Sequence, residues 1–128
     1  MLNTLVITSD DYLHCLPGFA YLHNRHFYDH KATVLCYKKG RQSLPDNFYK
    51  YSVGRQQDYT WSGGLIKFLQ EHKNVQHWMI FLEDYFITEV RLPVIGEIYD
   101  YMMRYPGVAK FDLSGDLYKR GWKAHGKP

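Results

Sequence analysis

Cysteine is scarce in this chain, with only Cys15 and Cys36 among 128 residues. The two are too far apart for a C-x-x-C redox motif and too few for a cysteine-rich zinc site. Two reduced thiols are the expected state, with a single disulfide as the alternative. Long apolar runs are also missing. Nothing approaches the roughly 20 residues of a membrane span, and the N-terminus lacks the basic and then apolar stretch of a secretory signal. A cytoplasmic location is the expectation. Charge of one sign is in short supply as well: 16 basic against 13 acidic residues leave +3. That excess does not make nucleic acid the expected partner, while a phosphate-bearing small ligand is compatible with it. The chain has no G-x-S-x-G nucleophile elbow, which weakens any hydrolase reading. The phrase WSGGL at residues 61–65 is neither a P-loop nor a G-x-G-x-x-G fingerprint, although backbone amides at a helix start could contact an anion. With no repeat, low-complexity tract or linker, residues 1–128 read as a single domain.

What the sequence does hold is an ordinary globular balance, 45% hydrophobic and 23% charged, with an unusual aromatic load of 17%. Such a load suits a packed core and a ring-stacking cleft equally. Residues 2–8 are rich in β-branched side chains and stop at Ser9, Asp10 and Asp11, which end a strand and offer helix caps. A helix over residues 12–27 follows, with Pro17 either kinking it or opening its longer second part. Strands are expected over 32–37 and, more weakly, 49–53. Leu65, Phe68, Leu69 and His72 share one face of a second helix, capped by Thr60 or Asp58. The run Trp78, Met79, Ile80, Phe81, Leu82 reads as a strand covered on both faces, hence the centre of a parallel sheet. A third helix carries Leu92, Ile95, Tyr99 and Met102, and a last short strand is expected over 108–111.

The order β-α-β-β-α-β-α-β predicts an α/β fold, a Rossmann-like α/β/α sandwich with a mostly parallel central sheet and right-handed crossovers. Ligands in such sheets collect beyond the carboxyl ends of the strands. Thr8, Ser9 and Asp10, the segment 54–58, and the neighbouring carboxylates Glu83 and Asp84 are therefore expected to face one crevice. Two adjacent carboxylates repel unless a cation or basic group compensates them, and Mg²⁺ or Mn²⁺ is bound through one or two carboxylates while phosphates supply further oxygens. The plain alternative is that Glu83 and Asp84 begin a solvated loop or cap the next segment.

The ordered segments LVITSDDYL, LPDNFYKYSVGRQQDYTWSGGLIKFL, WMIFLEDYFI and VAKFDLSGD resemble nucleotide-sugar-dependent glycosyltransferases of the GT-A fold, particularly small bacterial and phage-type members. The resemblance covers most of this chain and about the first half of a typical catalytic domain, so it implies a truncated or minimal GT-A-like form. It implies that the first strand and its turn, with Thr8, Ser9 and Asp10, hold the nucleotide, and that Asp84, assisted by Glu83, holds a divalent cation, Mn²⁺ or Mg²⁺, bridging the diphosphate. The pair here is a contiguous E-D followed by Tyr85 where the family usually has a spaced D-x-D. The partners implied are a nucleotide sugar and an unknown acceptor, and the catalytic base is not assigned. Asp112 and Asp116 are weaker candidates for donor-sugar or acceptor contacts, or acidic caps.

Other features carry competing readings. Asp58 belongs to the expected nucleotide edge or caps a helix, and Trp61 stacks on a ring in the crevice or packs under the sheet. His23, His26 and His30 have spacings that bring the first two together on a helix, but no carboxylate or cysteine completes a ligand set. The basic run Lys119, Arg120, Lys123 and Lys127, interleaved with Tyr118 and Trp122, is the best case for a noncatalytic domain that binds nucleic acid or a protein partner, against a solvated or snorkelling tail.

Overall fold

The computed structural model describes residues 2–60, 62–111 and 113. The chain divides into two compact units, Met1–Val90 and Arg91–Pro128. The first holds a four-stranded, all-parallel sheet in the order β3-β2-β1-β4: β1 (Asn3–Ile7), β2 (Ala32–Cys36), β3 (Phe48–Ser52) and β4 (Trp78–Leu82). Helix α1 (Leu16–Phe27) links β1 to β2, and α2 (Gly63–Glu71) links β3 to β4. The path from β1 to β3 steps one way across the sheet and the return to β4 steps the other. Right-handed crossovers then put the two helices on opposite faces, which is the expected α/β/α sandwich.

Side-chain alternation along the strands builds the two interfaces. Val6, Val34 and Phe81 are in register on one face, which Phe48, paired with Ala32, shares. There Phe19 of α1 lies 5.5 Å from the Phe81 ring and 6.4 Å from Phe48. On the other face Leu5, Leu35 and Val53 pack with Phe68 of α2, ringed by Tyr51, Leu65, Leu69 and Trp78. Pro17 stands in the first turn of α1, where its missing N–H leaves no bond unmade, and a 3₁₀ turn at Leu13–Cys15 precedes it. The helix stops at Tyr28, which adopts φ +50° and donates its N–H to Asn24 O at 3.1 Å. Cys15 and Cys36 are free thiols.

Three expectations are corrected. Strand β4 is not central: among the described residues it pairs only with β1, and Ile80 is 45% exposed. Strands β1 and β2 form the interior of the sheet, and the apolar run of β4 reflects helix packing on part of each face. Residues 108–111 form no strand, and the Val108 N–H turns back onto Tyr105 O at 3.0 Å. Neither Thr60 nor Asp58 caps α2; Ser62 stands at that position and makes no side-chain capping bond. In the second unit, α3 (Leu92–Arg104) sets Tyr101 against Tyr105 at 4.5 Å and against Phe111 at 5.6 Å. No helix among the described residues is long and apolar enough to cross a membrane.

Candidate functional site

The reversal of winding falls between β1 and β4, so the carboxyl ends of these two neighbours splay into a crevice, the place where ligands enter open parallel sheets. It holds about 440 Å³ and is lined by Thr8 and Ser9 after β1, Tyr37 after β2, Gln56, Tyr59 and Thr60 after β3, and Glu83 and Asp84 after β4. That volume lies within the ordinary range of small-molecule sites.

The β1 turn is pinned from both sides. Thr8 extends the ladder by donating its N–H to Leu35 O at 3.0 Å, and its hydroxyl donates to Ser9 O at 3.2 Å. On the β4 side the Glu83 N–H reaches Ile7 O at 3.3 Å, which ties the residue to the end of β1. Glu83 is only 7% exposed. Burial, reinforced by the Asp84 carboxylate, raises its pKa above the ordinary value, with the backbone bonds opposing the shift. Asp84 itself is exposed. The pair therefore divides into one buried carboxylate beside the β1 turn and one facing water.

Tyrosines form the opposite wall. Tyr37 and Tyr59 lie 5.9 Å apart with their rings tilted by 38°. The Tyr59 hydroxyl donates to Val53 O at 2.8 Å, and Lys67 Nζ of α2 donates to both Val53 O and the Tyr59 oxygen at 3.0 Å. Tyr37 is seated by Gly64: a Cβ at that position would lie 2.6 Å from the Tyr37 hydroxyl, so the helix approaches the ring only because residue 64 has no side chain. Burial first, then Tyr59 and Asp10, push the Tyr37 pKa up.

Of the residues expected at the site, Thr8, Ser9, Glu83 and Asp84 meet in the crevice. Asp10 lies in an adjoining depression with Lys38 and Arg41. It is a bracket between loops: its N–H donates to Gln56 Oε1 at 2.7 Å and its Oδ1 accepts the Lys38 N–H at 3.1 Å. Asp58 is 49% exposed and spends its carboxylate on Arg55, both contacts at 3.1 Å, outside the crevice lining. Trp61, Asp112, Asp116 and the basic run 118–127 lie outside the described residues. His23 is a core residue and the His30 ring meets Leu2 O at 3.1 Å, which separates their roles.

Gln56, within the segment 54–58 expected at the crevice, lines it, as do Tyr12, Tyr37, Tyr59 and Thr60, which the sequence did not point to as site residues. For Tyr37 the signal was its place at the end of a strand. For Gln56, Tyr59 and Thr60 it was membership of the polar connection 54–60, in which the charged residue had drawn attention instead.

The donor set constrains which cation it could serve. No group of three His, Cys, Asp or Glu side chains that could hold a metal occurs among the described residues. Two carboxylates do not make a closed cage; Mg²⁺ or Mn²⁺ held there would have to complete its shell with phosphate oxygens and water. Comparison of the chain with protein-family models, curated proteins and solved structures finds no match.

Proposed function

We propose that the crevice between β1 and β4 binds the nucleoside diphosphate part of a nucleotide-sugar donor, as in a glycosyltransferase, for sugar transfer to an acceptor hydroxyl. The observation that carries this reading is the meeting of the Thr8–Ser9 turn with Glu83 and Asp84 at the reversal point of a parallel sheet. Asp84, open to water, is the carboxylate that would hold a divalent cation, with Glu83 beside it. When bound, the cation neutralises charge that grows on the departing diphosphate, and so stabilises the transition state more than the ground state. The residues of the chain supply the rest. Tyr12, Tyr37 and Tyr59 offer ring faces for a base or sugar, Lys67 fixes the Tyr59 hydroxyl, and the Glu83 N–H joins the end of β4 to Ile7 of β1.

The test is calorimetry of the whole chain with UDP, CDP, GDP and ADP, with and without Mn²⁺. At least one nucleotide is expected to bind more tightly with the cation present. Asp84→Asn keeps the shape of the side chain and removes its charge, so it should abolish the Mn²⁺-dependent gain and leave cation-free affinity and the melting temperature nearly unchanged. Failure of all four nucleotides to bind at millimolar concentration defeats the reading.

A further inference from the structure

We infer that Gln56 is a specificity-determining residue of this crevice, presenting a fixed amide N–H₂ to a carbonyl or hydroxyl oxygen on the nucleoside end of the ligand. The inference rests on the nucleotide-binding reading and goes beyond it by naming the group that reads the nucleoside.

Gln56 is half-buried and lines the crevice. Its amide has one acceptor end and one donor end, and the 2.7 Å contact with the Asp10 N–H decides which is which. A backbone N–H can only donate, so the atom facing it is Oε1, and Nε2 is the remaining polar end of the side chain. A free glutamine samples both orientations, whereas this one is held in a single orientation by a backbone that is itself braced. Asp10 is anchored a second time through its Oδ1 to the Lys38 N–H.

The position of Gln56 sets what it reads. In the strand order β3-β2-β1-β4 the carboxylates stand on the β4 side of β1, while Gln56, Tyr37 and Tyr59 come from the loops after β2 and β3. A ligand with its phosphates and cation at Glu83 and Asp84 extends its ribose and base toward the tyrosines and Gln56. A donor there matches acceptor oxygens of a nucleoside, such as a base carbonyl or a ribose hydroxyl. Discrimination against a ligand lacking that oxygen follows, because a donor left facing nothing loses its hydrogen bond to water without replacement.

The variant Gln56→Glu separates this role from a purely structural one. A glutamate carboxylate still accepts the Asp10 N–H, so the bracket survives, but the donor end becomes an acceptor. Gln57→Glu adds the same charge one residue away at an exposed position outside the crevice lining, and so controls for general repulsion of a diphosphate. Gln56→Ala removes both ends. The probe is whichever of UDP, CDP, GDP and ADP binds the unmodified chain best, titrated with Mg²⁺ alongside a thermal melt.

Gln56→Glu should weaken binding about tenfold or more, the effect of one good hydrogen bond, at an unchanged melting temperature, with Gln57→Glu within about twofold of the unmodified chain. Gln56→Ala should weaken binding and also lower the melting temperature. Binding of Gln56→Glu within about twofold of the unmodified chain overturns the inference and leaves the nucleotide reading standing. So does an equal loss in Gln57→Glu, or a fall in melting temperature in Gln56→Glu as large as in Gln56→Ala. If the unmodified chain binds none of the four nucleotides, both readings fall together.

Discussion

His23 is fully buried among aromatic rings, stacked on Phe27 at 5.0 Å and edge-on to Phe48 at 5.2 Å. Its Nδ1 lies 3.3 Å from Asn24 Oδ1, and Nε2 has no hydrogen-bond partner among the described residues. Burial lowers its pKa, the contact with Asn24 opposes the shift, and His30 adds to it. In the fold the ring therefore stays neutral at pH values where the unfolded chain protonates it. The contribution of His23 is complete above the ordinary histidine value of about 6.5 and is lost as pH falls below it, because the unfolded state takes up the proton first. Urea unfolding at pH 7.5 and 5.5 should show lower stability at the acid pH, and His23→Leu should make the difference between the two smaller. An unchanged difference would place the acid sensitivity elsewhere. At this scale the sequence was partly legible. Thr8, Ser9, Glu83 and Asp84 could be placed because residues just past a parallel strand have few places to go. Asp10 and Asp58 could not, because the partners that occupy them, Lys38, Gln56 and Arg55, depend on loop conformations that carry no periodicity.

Elements were read well where a periodic pattern or a proline marked them. The strands at 3–7, 32–36, 48–52 and 78–82 lie within a residue of where β-branched content and the apolar run put them, and the helices holding Phe19 and Phe68 overlap the expected ones, the first starting at Leu16 after a 3₁₀ turn. The rank of β4 within the sheet was misread for a physical reason. Five apolar residues in a row say that a strand meets hydrophobic neighbours, and they do not say how many strands flank it. Phe81 meets Phe19 at 5.5 Å and Phe27 at 6.1 Å, yet it belongs to the outermost strand and is only half-buried. Phe68 is fully buried between Leu5, Leu35 and Val53. Phe68→Ala should therefore cost about 3–5 kcal/mol, and Phe81→Ala less, roughly 1–3 kcal/mol. Denaturant unfolding of both variants checks the ranking. Equal losses would mean that β4 is as enclosed as the interior strands.

On the scale of the whole molecule, the site depends on one topological fact: an all-parallel sheet whose winding reverses between β1 and β4. That reversal opens the crevice and brings the β1 turn beside Glu83 and Asp84. The layered parallel fold followed from chain alternation, while the order of strands and the wall of tyrosines, packed on α2 through Gly64 and Lys67, emerged only from the tertiary structure. The most direct measurement is a backbone amide NMR titration of the ¹⁵N-labelled whole chain with the tightest-binding nucleoside diphosphate and Mg²⁺. The account predicts that the largest shifts fall on Thr8, Ser9, Tyr37, Tyr59, Thr60, Glu83 and Asp84, with Asn3, Lys31 and Asn47 at the amino ends of the strands unmoved. Shifts concentrated at those amino ends, or spread evenly over the fold, would contradict it.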